Sequence, residues 1–202
     1  MFKRNLFHVW FSIVILPCMV LGSLQGCGTD DDGGDGASLP RERIVFVSPE
    51  GASTLLYSLQ GADNLCQGWA EGCGLPGTYK AWLSSSTASP STRFNKDGEF
   101  RRVDGVLVAE DWADLTDGTL QAAINRDCAN VPIDDFWPTY VSTGTNVDGT
   151  TNPNNCLNWT SQDTGSNKLV GGAASTSSDW TSYSTTPCGS GSLGSYLYCF
   201  QQ

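Results

Sequence analysis

The stretch from Gly61 to Ser86 reads GADNLCQGWAEGCGLPGTYKAWLSSS. Its first half sets Ala62, Leu65, Cys66, Trp69 and Ala70 at the spacing of one helix face, with Asp63 early enough to suit the helix dipole. Gly74-Leu75-Pro76-Gly77 cannot continue a helix, and TYKAWLS, from Thr78 to Ser84, then alternates as a strand does. The spacing predicts a helix over 61–72 and a strand over 78–84.

On the amino-terminal side, RIVFVS from Arg43 to Ser48 is β-branched and aromatic and ends in Pro49-Glu50-Gly51, which predicts a strand and a turn. On the carboxy-terminal side, RRVDGVLVA (101–109) carries Asp104-Gly105 between apolar flanks, the signature of a hairpin. EDWADLTDG (110–118) reads as one helical turn, and 139–143 as a further strand. From Gly144 to Pro187 turn-forming residues dominate. A long pinned loop region with one or two short strands follows, and such length suggests a binding region. YLYCF (196–200) predicts a buried last strand.

Lys3 and Arg4 precede an apolar run from Val9 to Leu21, too short to span a membrane stably, so residues 1–26 read as a secretory signal. Leu24-Gln25-Gly26-Cys27 resembles a bacterial lipobox, which makes Cys27 the expected lipidation site. Residues 27–40, including GTDDDGGDGASLP, are too polar to offset the entropy of ordering and read as an acidic flexible tether. The aspartates lack the spacing of an EF-hand loop. Residues 41–202 have the size of one domain. The expected address is export, with a lipid anchor in a bacterial outer membrane, at the cell surface, as the only membrane attachment.

With Cys18 in the leader and Cys27 lipidated, Cys66, Cys73, Cys128, Cys156, Cys188 and Cys199 remain. An even count outside the cytosol predicts three disulfides, with 15 possible connectivities. The chain has 11 basic and 21 acidic residues; losing Lys3 and Arg4 leaves 9 against 21, a formal charge of −12. Such a surface repels nucleic acid and heparin-type polyanions. Neutral glycans, basic proteins or cations are the expected partners.

The only histidine, His8, also leaves with the leader. A hydroxyl nucleophile would then need Lys80, Lys96 or Lys168 as its base, and no serine stands in a nucleophile elbow. The carboxylate pairs Asp111/Asp114 and Asp134/Asp135 invite a glycosidase reading, but helix starts and turns use the same residues. A non-catalytic role is the expectation. Trp82 and Trp159 read as core, whereas Trp180, set among serines and threonines, reads as a surface residue able to stack on a sugar or anchor a protein.

The Gly61–Ser86 stretch resembles the corresponding part of endostatin, the carboxy-terminal domain of collagens XV and XVIII, and so do Gly144-Thr145-Asn146, Cys156, Trp159, Cys188 and Tyr198-Cys199-Phe200. RVDGVLVAEDWADLTDGTLQAAIN (102–125) looks like the middle of a bacterial endostatin-like lipoprotein family that includes leptospiral adhesins. The resemblance implies an α+β, C-type-lectin-like fold: a mixed twisted sheet, one main helix and long disulfide-pinned loops. It implies Cys66 with Cys199 and Cys156 with Cys188, which leaves Cys73 with Cys128. It also implies adhesion to extracellular proteins or matrix, with glycan binding or an envelope structural role as alternatives.

Endostatin's amino-terminal histidine zinc site has no counterpart here, so no metal is expected from it. Sugar-binding members of the lectin fold hold calcium between a carboxamide-proline loop and an Asn-Asp pair. Asn152-Pro153-Asn154 and Asp179-Trp180 are pieces of such a site, though Asn152 lies too close to Cys156 and Asp179 precedes its tryptophan. Asn152, Asn154, Asp179 and Trp180 are therefore the candidate ligand residues, with calcium the one conceivable cofactor and an ordered turn the plainer reading.

Overall fold

The computed structural model describes residues 41–52, 55–133, 139–189 and 196–202. The leader, the tether and Asp134/Asp135 lie outside them. The fold is α+β with two sheets and three disulfides.

The 14-residue helix α1 (Leu59–Gly72) starts two residues before the predicted position, because the Ser58 hydroxyl accepts a hydrogen bond from Gly61 N at 3.1 Å and caps it. Its inner stripe, Ala62, Cys66 and Ala70, is fully buried. The strand β1 (Glu42–Val47) pairs in parallel with β3 (Glu99–Arg102) and antiparallel with β8 (Tyr198–Gln201). With β2 (Tyr79–Ala81) and β4 (Leu107–Ala109) they make a five-stranded mixed sheet in the order β2-β8-β1-β3-β4. The hairpin turns at Asp104-Gly105, where Arg102 N donates to Val106 O at 2.9 Å. The short helices α2 (Pro90–Arg93) and α3 (Trp112–Leu115) follow β2 and β4.

Alternation along the strands divides the core in two. Val45, Val47, Phe100, Tyr198 and Phe200 face one cluster with Trp82 and Trp180; Phe46 and Cys199 face the other, against α1. Asp63 joins α1 to β2: its Oδ1 accepts from Ala81 N at 2.9 Å, and both its oxygens accept from Arg93. The disulfide Cys66–Cys199 ties α1 to β8, Cys73–Cys128 holds the end of α1, and Cys156–Cys188 closes the loop region, the pairing that the resemblance implied.

The second sheet, β5 (Tyr140–Ser142), β6 (Asn167–Gly172) and β7 (Ser184–Pro187), is antiparallel with β6 central. Two of its strands fall inside the predicted loop region.

Candidate functional site

Between β5 and β6 the chain is ordered mainly by side chains. A hydroxyl network joins three segments: Thr143 Oγ1 donates to Thr181 O (2.6 Å), Thr181 Oγ1 to Thr145 O (3.1 Å), and Ser84 and Thr145 hydroxyls meet at 2.8 Å. Trp82 Nε1 donates to Thr181 Oγ1 at 2.8 Å. Gly144 has φ +53°, and a β-carbon there would lie 2.9 Å from the Trp159 ring, so only glycine fits. Asn146 and Asn152 then close a loop, with Asn152 Nδ2 donating to Asn146 Oδ1 at 2.8 Å.

Cys156 to Trp159 form the longest run of left-handed backbone among the described residues. Cys156, Leu157, Asn158 and Trp159 have φ of 52°, 52°, 60° and 66°, so none adopts the ordinary right-handed form. Trp159 N donates to Asn155 O at 2.8 Å and Thr160 N to Cys156 O at 3.2 Å, which makes this one turn of left-handed helix. Such a conformation costs about 1–2 kcal/mol per residue for most L-amino acids, with asparagine the mildest case. The surroundings hold it in place. Cys156 is disulfide-bonded to Cys188, and buried Trp159 donates from Nε1 to Ser84 O at 2.8 Å. Asn155 Oδ1 accepts from Asn158 N at 3.0 Å, and Asn158 Oδ1 from Ser86 N at 2.6 Å.

Leu157 is the apolar residue this turn lifts clear, 65 % exposed. It lines an open cleft of about 470 Å³ with Ser86, Thr151, Pro153, Asn155 and Asn158. None of the six side chains ionises. Trp159 O accepts from both Leu56 N (3.1 Å) and Tyr57 N (3.0 Å), so Tyr57 belongs to the same bonded unit. Tyr57 is also left-handed (φ 62°) and 73 % exposed. Two large apolar side chains are thus held in water on strained backbone, a pattern concentrated at functional sites.

The candidate residues chosen from sequence fare differently. Asn152 and Asn154 meet, but Asn152 Oδ1 accepts from Asn154 N and Nδ2, both at 3.0 Å, which is the self-contained turn of the plainer reading. Asn154 O accepts from Leu169 N, whereas Asp179 lies against Gly172, three residues on along β6 and about 10 Å away. Among the described residues, no group of three or more His, Cys, Asp or Glu side chains could hold a metal.

Trp180 corrects the expectation of a surface residue: it is 0 % exposed, with ring centroids 4.9 Å from Trp82 and 5.6 Å from Tyr198. The turn Ser178–Trp180 packs directly on Gly171, where a β-carbon would fall 1.9 Å from Trp180 O, and its indole lies in the core cluster that contains Trp82 and Tyr198. The neighbouring hydroxyls shape that turn, Ser177 accepting from Asp179 N, rather than marking a wet surface. Trp82 and Trp159 are core, as read.

Asp111 caps α3 by accepting from Asp114 N, and Asp114 Oδ2 accepts from Glu110 N (2.7 Å) and Gln121 Nε2 (2.9 Å). Of the three lysines, Lys80 donates to Arg93 O at 2.9 Å and Lys96 lies 5.0 Å from the Trp112 ring centre. Lys168 is buried on β6 opposite Asn155, and desolvation pushes its ammonium down to about 8.

Sequence reasoning missed the cleft and both displayed side chains. A left-handed turn made of Cys, Leu, Asn and Trp carries no compositional mark; only Asn158 favours that conformation. Compared with known proteins, the chain matches no protein-family model and no curated protein.

Proposed function

We propose that this chain is an exported, lipid-anchored, non-catalytic binding module that holds extracellular proteins or matrix through the cleft beside Leu157. The observation that carries this reading is the left-handed turn itself. Strained backbone keeps Leu157 exposed next to an uncharged hollow, and an apolar side chain held in water gains most by being covered. The cleft lining offers amides, hydroxyls, a proline and a leucine but no aromatic face and no carboxylate, which favours a protein segment over a calcium-bound sugar. The leader (1–26), Cys27 and the acidic tether (27–40) support export, lipidation and display at an outer membrane, with nucleic acid and heparin-like chains repelled. The finer assignment, an endostatin-like, C-type-lectin-like domain, is supported by the disulfide from α1 to the last strand and the disulfide closing the long loop.

The test uses the oxidised full chain in non-ionic detergent against immobilised matrix proteins, serum proteins and glycans, each with calcium and with a chelator. The expected result is chelator-indifferent binding to a protein, lost in Leu157→Asp while the circular dichroism spectrum is kept. Binding confined to glycans and abolished by the chelator would overturn it and return Asn152, Asn154 and Asp179 as a lectin site. Binding in no arm would leave the envelope structural role.

A further inference from the structure

A second exposed feature lies on the three-stranded sheet. Tyr140 and Tyr183 are 38 % and 51 % exposed, and their rings stack with centroids 6.0 Å apart at 29°. Tyr140 opens β5 and faces Gly172 across the ladder, while Tyr183 N, just before β7, donates to Val170 O at 2.9 Å. The two rings therefore flank β6 from either side, one from β5 and one from the residue that leads into β7, at the end where Gly171 and Gly172 supply no side chain.

Asp179 sits at this same end. A β-carbon on Gly172 would lie 3.9 Å from Ser175 Cβ and 4.0 Å from Asp179 O. One backbone turn links Asp179 to Tyr183, since Ser182 N donates to Ser178 O at 3.1 Å. The arginines found in ion pairs among the described residues meet other carboxylates: Arg93 pairs with Asp63, Arg101 with Glu99 and Glu42, and Arg102 and Arg126 with Asp104. The Asp179 carboxylate makes no hydrogen bond or ion pair among the described residues, although the residue is partly buried.

We infer that Tyr140, Tyr183 and Asp179 form a docking point for an arginine side chain of a partner protein. A planar guanidinium stacks on an aromatic face and forks onto a carboxylate, so two exposed rings and an unspent carboxylate match it on both counts. Charge is complementary at longer range as well, because 21 acidic residues against 11 basic ones leave the chain at −10. A neutral sugar could use the rings but not the carboxylate's charge. The point is separate from the cleft at Leu157 and stands or falls without it.

The probe is a fluorescein-labelled Gly-Arg-Gly-Arg-Gly peptide, with a twin in which citrulline replaces arginine, titrated at low salt into the full chain in non-ionic detergent. Expected: the arginine peptide binds more tightly than the citrulline twin, Tyr183→Leu and Asp179→Asn each weaken it about two- to fivefold, and Tyr183→Phe retains it. Leu157→Asp leaves it unchanged, which separates this point from the cleft. Glu50→Gln removes the same charge from an exposed site elsewhere and is also expected to leave it unchanged. Equal weakening by Glu50→Gln and Asp179→Asn would mean diffuse attraction only and overturn the inference. So would equal binding of the citrulline peptide, or displacement of the peptide by a neutral oligosaccharide.

Discussion

Two parts of this domain are each closed by a disulfide, and they are built by opposite rules. Around Cys66–Cys199 a capped helix lies on a regular sheet, with small and sulfur side chains facing inward and backbone amides bonded to backbone carbonyls. Around Cys156–Cys188 backbone torsions are left-handed, and carboxamides, hydroxyls and an indole bond alongside the backbone amides. Stability is concentrated in the first part and display in the second. The disulfide that reinforces a relaxed structure in one place constrains a strained one in the other.

The largest expected effect separates the two directly. Replacing Cys66 and Cys199 by alanine opens a loop spanning 133 residues, worth about 5 kcal/mol in the chain-entropy account. The same treatment of Cys156 and Cys188, 32 apart, is worth about 3.7 kcal/mol by loop length alone. Its measured cost should be clearly smaller, because the freed turn can relax and recover part of its left-handed penalty. Urea unfolding of both double variants reads this out, and a second loss equal to or above the loop-length figure would erase the distinction.

The regular part was legible in the sequence for a physical reason. In α1 and the strands, side-chain periodicity and backbone hydrogen bonding obey the same repeat, so Gly61–Ser86, the Asp104-Gly105 hairpin and the last strand could be read from residue type. The loop region has no repeat. Its order depends on contacts between distant residues, such as Trp159 with Ser84 and Thr143 with Thr181, which local reading does not anticipate. Trp180 differs from the surface expectation for the same cause: its serine and threonine neighbours shape a turn, and its indole is buried against Trp82 and Tyr198, both remote from it in sequence. Asn152 and Asn154 form the ordered turn that is the plainer reading of their sequence, bonded to each other within it.

A smaller effect concerns pH. Burial pushes Lys168, beside the strained turn, down to about 8, below its unfolded value of 10.5. Between those values the unfolded chain binds the extra proton, so stability should rise as pH climbs from about 8. Burial pushes Tyr79, against α1, up to about 12 and raises Tyr198 as well, so above about 10 the unfolded chain loses protons first and stability should fall. The urea midpoint should therefore peak near pH 10, with Lys168→Met removing the rise and leaving the fall. A rise that persists in Lys168→Met would detach it from the loop region.

The smallest effect is the most direct, because its sign alone decides. Leu157 is exposed and left-handed, so Leu157→Gly loses little burial and relieves the turn, whereas Leu157→Ala keeps the β-carbon and its penalty. Urea unfolding of the two variants beside the parent chain is the measurement. Strained display predicts that glycine stabilises by up to about 1 kcal/mol while alanine stays near the parent. Glycine destabilising by about 0.5–1 kcal/mol relative to alanine, as in an ordinary helix, would contradict it.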